Sequence, residues 1–190
     1  MILLGILFGV VGGAFAWTLK CMKKKFAQTW KQPVIRIFII GLILSVLLLL
    51  LYQGRYAGLG TNLIHASFYG EDILSYDWIL KFLLTIVTLA AGFQGGEVTP
   101  LFSIGASLGA VIAPVLGVPV EIAAALGYAG VFGSATNTFL APVLIGTEVF
   151  GFSYLPHFFV VCAFAYLFNL NKSIYSLQKI MDGHNRYQKP

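Results

Sequence analysis

Residues 95–100, Gly-Gly-Glu-Val-Thr-Pro, are the part of the chain best suited to hold an anion inside a membrane. Paired glycines let a ligand approach the backbone, and Pro100 suits a first helical turn because its missing N–H group is not needed there. We expect a helix from about Pro100 to Ala113. The unpaired N–H groups and the dipole at such a helix start bind anions without a formal cation.

The composition indicates that the elements around this segment lie in a membrane. Of the residues, 58% are hydrophobic and 10% are charged, against about 45–50% and about 25% in ordinary soluble domains. A soluble chain of 190 residues cannot hide that much apolar surface. We therefore predict an all-α, polytopic membrane protein, with residues 1–190 forming a single membrane domain in the lipid bilayer.

The basic residues predict the orientation of the chain. Two clusters flank the apolar spans, one in a loop from Lys20 to Arg36 and one in a tail at residues 172–190. Loops rich in Lys and Arg stay on the cytoplasmic side, so we expect both clusters in the cytoplasm and the protein in the cell membrane. Nucleic acid is not expected as a partner, because such clusters beside apolar spans indicate membrane topology instead.

Interrupted helices follow from counting the crossings. Residues 1–19 form a first span, and five apolar segments lie between the two basic clusters, at residues 34–52, 78–96, 98–120, 122–147 and 149–171. An odd number cannot return the chain to the same side, so at least one segment must be re-entrant or split. More than half of the 21 glycines fall in residues 92–151, which favours breaks there.

Charge is scarce where the anion would lie. No Lys or Arg occurs between Lys81 and Lys172, so backbone dipoles and hydroxyl groups would have to hold the anion. Glu97 stands out because ionisable groups inside membranes are costly and usually functional. The alternative interpretation is that the Glu97 side chain only reaches the membrane surface.

Three sequence segments resemble the CLC chloride channels and transporters. GGEVTPLFSIGASLG is similar to the third CLC signature, and its Glu and Thr resemble the bacterial fluoride-selective branch. LGYAGVFGSATNTFLAPVLIGTEVFG is similar to the CLC segment with an Ala-Pro break, and NKSIYSLQ resembles the start of the final CLC helix. The resemblance implies the second inverted repeat of a CLC-type fold with broken or re-entrant helices.

The same resemblance implies a site and its partners. The anion, fluoride or chloride, would be bound by the backbone beside Gly95 and Gly96, the amides of Glu97 and Val98, and the hydroxyls of Thr99 and Tyr175. Glu97 would be the candidate for proton coupling. The first repeat has no counterpart in these residues, so it is expected in the same or another chain, and a complete protein is expected to be a homodimer.

The favoured function is therefore halide and proton antiport with a preference for fluoride, present here as an incomplete half. One alternative is a chloride channel or chloride/proton exchanger. Another is a membrane subunit or truncated remnant that only packs against a partner. An enzyme, a metal site and a cofactor are not expected, because the chain has no His/Cys cluster, nucleophile elbow or P-loop.

Overall fold

The computed structural model describes residues 1–70 and 72–175, and within these ranges all regular secondary structure is helical. The eight α-helices are α1 (Ile2–Thr29), α2 (Pro33–Leu50), α3 (Thr61–Tyr69), α4 (Asp77–Ala91), α5 (Val98–Leu116), α6 (Val120–Thr136), α7 (Leu140–Phe150) and α8 (Leu155–Leu167). Short 3-10 turns occur at Tyr52–Gly54 and Phe152–Tyr154. The predicted all-α fold is confirmed.

Among the described residues, three helices, α1, α2 and α5, are long and apolar enough to cross a bilayer. The predicted helix from Pro100 to Ala113 is confirmed as the interior of α5. The predicted segment 122–147 is split, because α6 ends at Thr136 and α7 begins at Leu140. A split segment is one of the two outcomes that the count of segments allowed, and the number of crossings stays a prediction.

The predicted basic loop between Lys20 and Arg36 is wrong in its extent. Helix α1 continues through the lysines to Thr29, and only Trp30, Lys31 and Gln32 connect it to α2. Lys, Met, Ala and Gln are good helix formers, and nothing in this stretch stops a helix before Pro33 starts the next one. With 28 residues, α1 is ~42 Å long, so it extends beyond a hydrocarbon core of about 30 Å.

Small residues let the central helices approach each other closely. A Cβ atom built on Gly105 of α5 would lie 2.1 Å from the carbonyl oxygen of Gly127 in α6, and one on Gly109 would lie 2.2 Å from that of Ala123. Because higher numbers in α5 meet lower numbers in α6, the two helices are antiparallel. Backbone contact of this kind is the usual basis of helix association in membranes.

Helix α1 packs in parallel with α6 and α8. Gly5 and Gly9 place their backbones against Val161 and Ala165 of α8, and Gly13 lies against Asn169, just after the end of α8. On the neighbouring face, a Cβ atom on Gly12 would lie 2.6 Å from the Cβ of Ser134 in α6. The Ser134 hydroxyl also donates a hydrogen bond to the Gly9 carbonyl at 2.6 Å.

Helix α2 lies at the edge of the bundle, with most of its surface exposed. It runs antiparallel to α4, since Arg36 near its start donates from Nε to the Ala91 carbonyl at the end of α4, at 2.8 Å. That contact pairs one of the carbonyl groups that a helix end leaves without a partner. The apolar, exposed sequence of α2 is typical of a lipid-facing helix.

Candidate functional site

The start of α5 has the open backbone that the sequence predicts. The first helical hydrogen bond of α5 runs from Leu101 N–H to the Glu97 carbonyl at 3.2 Å, so the N–H groups of Val98 and Thr99 have no acceptor within the helix. Gly95 and Gly96 are exposed, and a Cβ atom on either would meet nothing within 4 Å. Packing within the described residues therefore does not require either glycine.

Glu97 lies at the N-cap of α5 and faces α1. Its Oε1 is 3.8 Å from Nζ of Lys23, and the two side chains are 27% and 46% exposed. A partly exposed pair at this separation contributes only about 0.2–1 kcal/mol to stability. Glu97 is thus a half-buried carboxylate with a cationic neighbour, where the sequence alone indicated an isolated acid.

Tyr175 does not line the same cavity as Gly95 and Gly96. It lines a cavity of about 440 Å³ together with Lys20, Lys23 and Lys172, here named the basic cavity. Gly95 and Gly96 instead line a cavity of about 260 Å³ with Pro100 and Lys81. The described residues therefore do not bring all of the predicted site residues together, and Lys23 is the side chain that connects Glu97 with the cavity of Tyr175.

Lys81 is a functional candidate that the sequence reasoning missed. Its side chain is 1% exposed, and its ammonium group donates to the carbonyls of Tyr56 at 3.0 Å and Gly58 at 2.7 Å. A formal cation therefore lines the cavity beside Gly95 and Gly96. The sequence does contain a signal for Lys81. Asp77 and Lys81 are four residues apart at the start of an apolar helix, and this spacing places both on one helix face.

Asp77 fixes the loop that leads to Lys81. Its carboxylate is fully buried and accepts hydrogen bonds from Arg55 Nη2 at 2.7 Å, Tyr56 Oη at 2.6 Å and Leu74 N–H at 2.9 Å. The hydrogen bond with Asp77 raises the pKa of Arg55. Burial, and then the hydrogen bond to Asp77, raise the pKa of Tyr56.

A polar layer occupies the break between α6 and α7. Asn137 adopts a left-handed conformation, with φ of 53°, and its side-chain oxygen accepts from the Asn169 amide at 2.5 Å. The hydroxyls of Thr136 and Thr138 lie 2.7 Å apart. Ser173 donates from its hydroxyl to the Thr136 carbonyl at 3.2 Å. The Ser173 hydroxyl thus pairs a carbonyl at the end of α6, as a break inside a membrane requires. The other two contacts join side chains to each other.

The expected final helix after Tyr175 and most of the tail at residues 172–190 lie outside the described residues. The part that is described places Lys172 beside Lys20 and Lys23, at one end of the bundle. The cytoplasmic orientation of this end stays a prediction.

Comparisons with known proteins identify the family. The chain matches the family described as "Voltage gated chloride channel" over residues 1–170. It is 35% identical over 192 residues to a chloride/fluoride channel protein of Pseudomonas syringae pv. tomato (strain ATCC BAA-871 / DC3000), covering 98% of this chain and 42% of that protein.

A solved structure gives the same result. The chain is 57% identical to the protein in the crystal structure of a CLC-type fluoride/proton antiporter, with a TM-score of 0.92, and the match covers 94% of this chain and 45% of that one. The chain thus spans less than half the length of both relatives. Because the family match extends over most of its sequence, this multi-pass membrane chain belongs to the voltage-gated chloride channel (CLC) family.

Proposed function

We propose that this chain contributes the anion-binding start of α5 to a transporter that exchanges fluoride for protons. The observation that carries the proposal is the open approach at Gly95 and Gly96, which leads to the unpaired N–H groups of Val98 and Thr99. Membership of the CLC family supports an anion as the ligand. Because the chain spans less than half of its relatives, the activity requires the other half, in the same or another chain.

The preference for fluoride rests on the polarity of the site. Fluoride is small and strongly hydrated, so its site should offer strong hydrogen-bond donors. Glu97 and Thr99 make the start of α5 more polar than an apolar lining would. The relative with 57% identity is named as a fluoride/proton antiporter, which supports the same preference.

A chloride pathway is the second candidate, because the Pseudomonas relative is named as a chloride/fluoride channel protein. Anion efflux from liposomes, measured separately for fluoride and chloride, separates the two candidates. A protein that carries chloride as fast as fluoride would contradict the fluoride preference. A protein with no anion flux in the presence of its other half would support a subunit that only packs against a partner.

Glu97 is the proposed proton-coupling residue, and Glu97→Gln tests it. The amide keeps the shape of the side chain but does not titrate in this range. We expect fluoride-driven proton flux to be lost or weakened while the variant folds normally, since a carboxylate taken out of water takes up a proton. Undiminished proton flux would reduce Glu97 to a structural residue.

Gly96→Leu tests the anion site itself. A Cβ atom at Gly96 meets nothing within 4 Å, so we expect the variant to fold while its side chain blocks the approach to the α5 amides. We expect fluoride affinity to fall at least ten-fold, about 1.4 kcal/mol or more. Gln94→Leu is the control, because it adds the same side chain at an exposed position that already carries a large one.

Gly12→Leu is not a suitable control for Gly96→Leu. Its side chain would collide with Ser134 and the Val131 carbonyl, so it would disrupt the packing of α1 against α6. Equal fluoride affinity in Gly96→Leu and Gln94→Leu would overturn the assignment of the site.

A further inference from the structure

The first part of the chain carries positive charge that no nearby acid balances. Every charged residue before Glu71 is a Lys or an Arg. Most of them lie at the end of α1 and in its connection to α2, namely Lys20, Lys23, Lys24, Lys25 and Lys31. Of these, in the part of the chain that the structure describes, only Lys23 forms an ion pair, with Glu97. The other ammonium groups therefore have no internal counter-charge there.

The apolar part of α1 brings these lysines to the edge of the hydrocarbon core. Residues 2–19 of the helix carry no charge, and at about 1.5 Å per residue they span ~27 Å. That length is close to a hydrocarbon core of about 30 Å. Helix α1 then continues from Lys20 to Thr29, which adds ~15 Å. Lys24 and Lys25 consequently lie at the level of the phospholipid headgroups, where the phosphate groups are.

One side of this helical extension is fixed against the bundle. Met22 and Phe26 pack on the main hydrophobic core, and the rings of Phe26 and Trp30 meet edge to face with their centroids 5.8 Å apart. Lys20 and Lys24 precede Met22 and Phe26 by two residues each, which is about 200° around the helix. Both lysines are accordingly exposed. The bundle thus holds the extension with its lysines directed outward.

Trp17 lies on the same side of α1 as the outward lysines. It precedes Lys24 by seven residues, about two helical turns, and it is 55% exposed although it is large and apolar. A tryptophan at the end of a membrane span is typical of the boundary between hydrocarbon and headgroups. An exposed indole followed two turns later by exposed ammonium groups matches the order of groups in a phospholipid, from acyl chain to phosphate.

We propose that the face of α1 formed by Trp17, Lys20, Lys24 and Lys25, here named the lipid face, binds an anionic phospholipid. The lysine ammonium groups donate hydrogen bonds to the phosphate, and the Trp17 ring packs against the start of an acyl chain. Clusters of Lys and Arg that directly follow a membrane helix bind acidic lipids. In the predicted orientation, the lipid face lies in the cytoplasmic leaflet, whose surface is negatively charged. The inference does not depend on the proposed fluoride exchange.

A lipid fits the lipid face better than a soluble anion does. Lys24 and Lys25 are exposed on the helix surface and do not line the basic cavity. Water and salt screen a free anion on such a surface, so it would bind only weakly. A lipid is already confined to the bilayer, and its binding therefore costs less translational freedom. Its acyl chain also covers the apolar ring of Trp17, which a free phosphate ion leaves exposed.

The test counts the lipids that stay bound to the purified protein. The chain and its other half are extracted in a neutral detergent from vesicles with equal parts of phosphatidylglycerol and phosphatidylcholine, and bound lipids are counted by mass spectrometry. One lysine near an anionic lipid surface contributes about five-fold in affinity. Lys24→Gln should therefore lower the ratio of bound phosphatidylglycerol to phosphatidylcholine by about three- to five-fold. Adding Lys25→Gln should bring the loss to about ten-fold or more.

Lys172→Gln is the matched control, because Lys172 is exposed at the same end of the bundle but lies outside the lipid face. Its lipid ratio, and that of the charge-keeping Lys24→Arg, should stay within about two-fold of the unsubstituted protein. All variants change exposed side chains and should fold, which elution from a sizing column checks. Equal losses in Lys24→Gln and Lys172→Gln would show diffuse charge instead of a site and overturn the inference. Displacement of phosphatidylglycerol by sodium phosphate, but not by sodium chloride of equal ionic strength, would also overturn it, because the face would then bind a soluble anion.

Discussion

Replacing Asp77 with Asn should lower the free energy of unfolding by about 2–3 kcal/mol. The carboxylate is fully buried and accepts hydrogen bonds from Arg55, Tyr56 and Leu74. An amide keeps the shape but removes the negative charge, and its NH₂ group would face donors where an acceptor is needed. Breaking a buried ion pair from one side costs about 3–5 kcal/mol. The expected loss is smaller because the Arg55 side chain is 25% exposed and water can solvate it.

Thermal unfolding of the purified chain in detergent measures this effect. A loss of 2–3 kcal/mol corresponds to a melting temperature roughly 5–10 °C lower. Asp72→Asn is the matched control, because Asp72 is exposed and meets Arg55 through its backbone carbonyl, at 2.6 Å. If the Asp77 and Asp72 variants melt at the same temperature, the Arg55–Asp77 pair does not hold this loop in place.

Three further predictions follow from the packing and charges of the bundle. Since the pKa of Tyr56 is raised, its contribution to stability is complete below the ordinary tyrosine pKa and is lost as pH rises above about 10. Tyr56→Phe should therefore flatten the decline of stability at alkaline pH in denaturant titrations, and an unchanged decline would refute this. Gly105→Val should lower the free energy of unfolding by about 3 kcal/mol, because its Cβ would lie 2.1 Å from a backbone oxygen of α6. Gly95→Val, at an open position, should leave it unchanged. Cysteines at positions 24 and 189 should both react with membrane-impermeant reagents from the cytoplasmic side only, and labelling from opposite sides would overturn the topology.

The spans and the breaks could be predicted from the sequence because each has a local cause. Residues 34–52 are almost wholly apolar, with Arg36 as their one charge near the start, and most of them form α2 (Pro33–Leu50). The interrupted stretch follows from Gly and Pro, and its helix start at residues 95–100 has the predicted open backbone. The end of α1 could not be placed in this way. The first lysines mark where the apolar span ends, but they do not mark the end of the helix, because lysines continue a helix in water as readily as apolar residues do in lipid.

The pairings of charges escaped prediction because they join residues far apart in the sequence. Glu97 meets Lys23, and Lys81 binds the carbonyls of Tyr56 and Gly58, through contacts that no local pattern encodes. Tyr175 shares a cavity with lysines of α1 only because the segment after α8 returns to the end of α6. Family resemblance implies a set of candidate site residues but not these neighbours.

The short helices after α5 have a consequence for the order of membrane insertion. With 11 and 13 residues, α7 and α8 are ~16 and ~20 Å long, well short of a hydrocarbon core of about 30 Å. Entering alone, each would leave polar backbone at its ends in contact with lipid. Helices α1, α2 and α5 are long enough to leave the translocon singly as they are synthesised. The last two helices need to enter together, against helices already in place, so the second part of this chain should mature only after its synthesis is nearly complete.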